Sequence, residues 1–272
     1  IVSPQIFYIF SADNFDGILN ILFHDDEQHY LARVQDITDG HPTLGNAYIY
    51  EHKDKPPMQF FLPEWMLAQP LALFNVSVPF GFVFYDFLFP FVIVLLVYWC
   101  AFLLTNSRTA AFLTSAFLTV AMFLHILGRP VSPQFILIFW ISQLILILLI
   151  LRNTRLHKFL MGLGVINFGL LFYIYPYYWT FYVSLLVIFI ALLYIYKFQG
   201  LGKKVLMLFG AGMLLGVPYF LYTLEASQFE VFKETMFRAG LIHTHFPSGI
   251  KIIVPCVSLL ALYAFFIKKK LI

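Results

Sequence analysis

Residues 134–151 read QFILIFWISQLILILLIL, eighteen positions without a charged side chain. A hydrocarbon core is crossed by about 20 helical residues, and over such a length in lipid only a helix satisfies its own backbone polar groups. Six further stretches are of the same kind, at roughly 86–105, 109–127, 159–175, 180–197, 205–222 and 251–267. The composition agrees, with 61% hydrophobic, 19% aromatic and only 11% charged residues, where a soluble domain carries about a quarter charged. The expected fold is an all-α polytopic membrane protein with about seven transmembrane helices, and an ordinary soluble domain is excluded.

Basic residues orient it. Arg108, Arg152, Arg155, Lys158, Lys197, Lys203, Lys204, Lys268, Lys269 and Lys270 fall in one set of connections, whereas the opposite short loops hold Arg129, Lys233, Arg238 and Lys251. The richer set is expected to be cytoplasmic. Residues 1–80 then form an outer loop region, and 81–272 form the helical bundle with a second functional outer loop at 223–250. All fourteen acidic residues, Asp13 through Glu234, fall on the outer side or at a helix mouth. Residues 1–12 are too short to span and lack a basic signal-peptide start, so an upstream helix is expected to export this region. Cys100 and Cys256 lie within spans and read as packing residues. The net charge of +3 comes from the cytoplasmic basic residues and does not suggest nucleic acid.

The outer region carries the chemistry. His24-Asp25-Asp26-Glu27 sets three carboxylates side by side, and like charges this close persist where a site uses them. From Glu27 to Thr38 there is neither Gly nor Pro, and Tyr30, Leu31, Val34 and Ile37 recur at helical spacing with Arg33 and Asp36 off that stripe. An amphipathic helix at the bilayer surface is expected. Asp25 can cap it with Gln28 as partner, but capping does not absorb Asp26 and Glu27 as well. Asp39-Gly40-His41-Pro42 breaks this helix, and a polar loop runs to Glu51-His52-Lys53-Asp54-Lys55-Pro56-Pro57. A second interfacial stretch, Met58 to Trp65, follows it.

The order Asp26-Glu27, Tyr30, Arg33, a Gly-containing break, then Lys55-Pro56-Pro57 before an aromatic run resembles the first outer loop of GT-C glycosyltransferases. The branch it looks like contains the protein O-mannosyltransferases and the aminoarabinose transferase of lipid A. The motif covers about residues 25–65; the extra Asp25 and the Gln28-His29 pair before Tyr30 depart from its commonest form and leave open which carboxylate works. The resemblance implies an inverting membrane glycosyltransferase that uses a polyprenyl-phosphate-linked sugar at the outer membrane face. Asp26 is the candidate base, with Glu27 or Asp25 in support. Lys55 is the candidate ligand of the donor phosphate, its alternative being a solvated lysine beside Asp54. Tyr30, Arg33, Glu51 and His52 join it as candidate substrate-binding residues. No cofactor is firmly implied. The expected partners are membrane lipids, the lipid-linked sugar donor and a protein, lipid or glycan acceptor, in the plasma membrane of a bacterium or archaeon.

The last outer loop adds candidates. Phe229, Phe232 and Met236 make residues 225–238 read as another interfacial helix. Arg238 at its end can bind a lipid or donor phosphate, or lie at the surface as an ordinary arginine. His243 and His245 flank one residue and suit sugar or phosphate contacts; their spacing also allows zinc, but no third ligand is fixed, so no metal site is assigned. Tyr175-Pro176-Tyr177-Tyr178-Trp179-Thr180 reads as an interfacial aromatic belt or a stacking platform. Gly212 and Gly216 form a small-residue face for close helix packing. A transporter or flippase of lipid-linked sugars is the alternative, which would place ionisable residues near the bilayer midplane.

Overall fold

The computed structural model describes residues 3–11, 26–41, 61–121, 130–152, 157–229 and 232. The chain divides into two compact units, Ile1–Leu224 and Glu225–Ile272. Of the second unit the described residues are few, with the amides of Gln228 and Phe229 turning back to Glu225 and Ala226 at 3.2 and 3.1 Å. The expected interfacial helix at 225–238 therefore lies largely outside the described residues, and its first two positions belong to a longer helix.

Every regular element among the described residues is helical. They run α1 (Ser3–Ser11), α2 (Asp26–Thr38), α3 (Leu62–Phe74), α4 (Val78–Thr105) and α5 (Arg108–Ala121). A kinked segment, Pro130–Phe135, leads into α6 (Ile136–Leu151), followed by α7 (His157–Ile174), α8 (Pro176–Ile195) and α9 (Gln199–Ala226). Among the described residues five stretches are long and apolar enough to cross a membrane: α4, Pro130–Leu151, α7, α8 and α9. The described residues are thus those of a helical integral membrane protein. Of the other two expected spans, 109–127 is represented by the fourteen residues of α5, and 251–267 lies outside the described residues.

Local sequence sets the ends. α2 stops where Gly40 takes φ 100°, a left-handed value that glycine adopts without strain, with the Gly40 and His41 amides closing on Ile37 and Asp36 at 3.2 and 3.0 Å. Asn75 and Asn106 close α3 and α4 in the same left-handed region. Ser107 then caps α5, its Oγ accepting the Ala110 amide at 3.3 Å. α4 starts eight residues before the expected position 86. Pro79 suits its first turn, and Asp86, the charge that marks the expected boundary, is absorbed inside the helix by a hydrogen bond described below.

The spans alternate in direction. α4 and α6 are parallel, because Gln134 just before α6 reaches Asp86 near the start of α4 while Arg152 after α6 donates to the Leu103 carbonyl near the end of α4. α5 returns against α4, with Ser115 Oγ on the Val94 carbonyl at 3.0 Å. α7 returns against α6 through Asn167, whose amide donates to the Phe139 carbonyl at 3.0 Å and to Gln143 Oε1 at 2.9 Å. Polar pairs of this kind hold helices together in lipid. α7 and α9 run side by side: a Cβ on Gly216 would stand 2.9 Å from the Phe172 ring, and one on Gly212 would overlap Phe168. The small-residue face of α9 is thus used for packing. The junctions after α4, α6 and α8 consequently share one end of the bundle, and the starts of α4, α6 and α8 share the other.

α2 and α3 pack at the latter end. Leu31, Val34 and Ile37 of α2 join Leu67, Ala68 and Leu71 of α3, Phe82, Tyr85 and Phe89 of α4, and Val131 in one buried cluster. α2 is thus seated on the bundle itself. Tyr85 ties α4 to α3 by donating to the Leu67 carbonyl at 2.8 Å.

Candidate functional site

Inside the apolar cluster under α2 lie five polar side chains that water does not reach. Glu27, Arg33, Glu64, Asp86 and Gln134 are each 3% exposed or less. They come from α2, α3, α4 and the kinked segment before α6, so the site exists only once these elements have packed. Arg33 Nε donates to Glu64 Oε1 at 2.7 Å. Gln134 Nε2 donates to Asp86 Oδ1 at 2.9 Å. Glu27 lies near enough to Asp86 for their charges to interact. Tyr30 packs against the surrounding cluster, and the His29 ring meets the Tyr30 ring edge-on with centroids 5.5 Å apart.

Among the described residues this site gathers three carboxylates and one guanidinium in apolar surroundings, where burying a charge is costly and each partner counts. Glu64 Oε2 is buried with no hydrogen-bond partner among the described residues. An arrangement of this kind suits a ligand that brings hydrogen-bond donors. Among the described residues, no three His, Cys, Asp or Glu side chains are placed to share a metal ion.

The sequence-predicted residues divide into two groups. Glu27, Tyr30 and Arg33 are brought together at this cluster. Asp26 opens α2, and nothing further is described of its side chain; Asp25, Glu51, His52, Lys55, Arg238, His243 and His245 lie outside the described residues. Arg33 is a correction: expected on the polar flank of α2, it is buried against Glu64. α2 contacts both α3 and α4, so its buried face is wider than the single stripe of Leu31, Val34 and Ile37.

Sequence reasoning missed Glu64, Asp86 and Gln134 as site residues. The signal was present in each case: a carboxylate between Pro63 and Trp65, a carboxylate inside the apolar run from Val78 to Thr105, and an amide heading the 134–151 run. Polar side chains inside such runs are costly enough to need a structural or functional reason. The aromatic turn at 175–180 is partly packing, since Trp179 stacks on the fully buried Phe172 with centroids 5.1 Å apart.

Comparison with known proteins finds no match: no family model, no curated protein and no solved structure is significantly similar to this chain.

Proposed function

We propose that the protein is an inverting glycosyltransferase of the GT-C type that moves a sugar from a polyprenyl-phosphate donor to an acceptor at the outer membrane face. The observation that supports this reading is the burial of Glu27 and Arg33, two residues of the resembling motif, together with Glu64, Asp86 and Gln134 at one end of the bundle. In the proposed reaction the bond between the anomeric carbon and the phosphate oxygen breaks, and an acceptor hydroxyl or amine forms the new bond from the opposite face. Asp26 takes the acceptor proton, and the polyprenyl phosphate leaves with the bonding electron pair. Glu27 supports the base from within the buried cluster. Lys55 and Arg238 are the proposed ligands of the departing phosphate, which their positive charges suit.

Asp86 favours a second reading. It sits eight residues inside a helix long enough to cross the membrane, about 12 Å along the axis at 1.5 Å per residue, and buried carboxylates in such helices also mark transport pathways. A flippase of lipid-linked sugars would therefore use the same cluster to recognise cargo. The two readings separate in vesicles that carry the full chain and a labelled polyprenyl-phosphate sugar. The transferase releases polyprenyl phosphate in step with glycosylated acceptor, whereas movement of intact donor between leaflets without release of polyprenyl phosphate would replace it with the flippase.

A further inference from the structure

The opposite end of the bundle has its own chemistry. Arg108, Arg152, Lys158, Lys197, Lys203 and Lys204 all lie at the junctions after α4, α6 and α8 or in the helix turns that flank them, and Lys204 alone of the six is half-buried while the others are exposed. Between Asp86 and Glu225 the chain contains no Asp or Glu at all. A bias toward basic loops orients a membrane protein, and the apolar spans between these loops carry no acidic side chain either.

A cavity of about 480 Å³ opens at the turn between α8 and α9, lined by Lys197, Phe198, Gln199, Gly200, Leu201 and Lys204. Its lining combines the polar residues Lys197, Gln199 and Lys204 with the apolar Phe198 and Leu201. Apolar surface continues from it along the bundle, where Ile195, Tyr196 and Phe198 are 70%, 65% and 57% exposed and Leu206 and Met207 are also exposed. A soluble anion would use only the lysines. An amphipathic anion uses both parts of the lining, with its charged group between Lys197 and Lys204 and its chains along α8 and α9.

We propose that this turn binds the headgroup of an anionic phospholipid from the adjoining leaflet, holding that end of the bundle at the headgroup plane. The ligand is a glycerophospholipid with a net negative head, and the site is separate from the carboxylate cluster at the other end. Basic residues near an anionic bilayer each contribute about fivefold in affinity, so removing both lysines is expected to weaken binding by about 25-fold.

Native mass spectrometry of the full chain, released from detergent in the presence of equal phosphatidylglycerol and phosphatidylcholine, provides the test. The wild-type protein is expected to retain phosphatidylglycerol preferentially, and millimolar inorganic phosphate should not displace it. Lys197→Gln with Lys204→Gln should lose the preference, Lys197→Arg with Lys204→Arg should keep it, and Arg108→Gln with Lys158→Gln, which removes equal charge from the same end, should largely keep it too. Equal retention of the two lipids by the wild type overturns the proposal. So does displacement by inorganic phosphate, which would make this a soluble-anion site, or equal losses in the two Gln pairs, which would reduce it to a diffuse surface potential.

Discussion

Replacing Glu64 by Gln probes how the candidate site is held. The Arg33 and Glu64 side chains are 3% and 4% exposed and meet at 2.7 Å. At that distance and an effective dielectric of about 20, the gross attraction is about 6 kcal/mol, offset by the desolvation of both ions. Gln keeps the size and a hydrogen-bonding oxygen but removes the charge, leaving the Arg33 guanidinium buried beside fewer negative groups. The expected loss of stability is about 3–5 kcal/mol, or between two and four decades in the unfolding constant. Arg33→Met combined with Glu64→Leu removes both ions and should recover most of that loss, because an apolar pair of similar volume is often neutral or stabilising in such a place. Unfolding in mixed micelles, followed by tryptophan fluorescence across the wild type, Glu64→Gln, Arg33→Met, Glu64→Leu and the Arg33→Met Glu64→Leu double, measures each arm, and the last three yield the coupling. A loss below about 1 kcal/mol for Glu64→Gln is the behaviour of a solvent-screened surface pair and would refute the buried ion pair that joins α2 to α3.

Two further outcomes are expected. Gly210 of α9 has open space where a Cβ would stand, so Gly210→Ala should stabilise the helix by about 0.5–1 kcal/mol; Gly212→Ala, which meets the fully buried Phe168, should cost about 1–3 kcal/mol in the same unfolding assay. Cysteines introduced at Asn46 and Gln228 should react with an impermeant maleimide from outside intact cells and one at Gly202 should not, and outside labelling at Gly202 would reverse the orientation inferred from the basic residues.

The spans were legible because a membrane helix announces itself through a long apolar run, and five of the expected stretches correspond to long helices. Their boundaries were less so. Asp86 looks like the end of a hydrophobic segment when only the sequence is read, yet Gln134, forty-eight residues further on, satisfies it and lets α4 continue toward Val78. Arg33 was misplaced for a related reason: helical periodicity shows one apolar stripe but not how many neighbours press on the helix. The packing use of Gly212 was readable from its spacing with Gly216, since small residues four apart have few other purposes in a membrane helix. Glu64 belongs to the site through a contact across thirty-one residues, and no local pattern specifies such a contact.

The most direct test of the proposed chemistry is the rate of sugar transfer from a polyprenyl-phosphate donor by Asp26→Asn, measured on folded, membrane-inserted protein. Asn is as good a helix cap as Asp, so a capping role would leave both rate and stability nearly unchanged. A general base that can no longer accept a proton should slow transfer by about 100-fold or more. The expected result is near-abolished transfer with wild-type stability, and a much milder effect for Asp25→Asn. Normal turnover in Asp26→Asn with a dead Glu27→Gln would move the base one residue along α2; normal turnover in Asp26→Asn, Glu27→Gln and Asp25→Asn alike would contradict the transferase and leave the transport reading in its place.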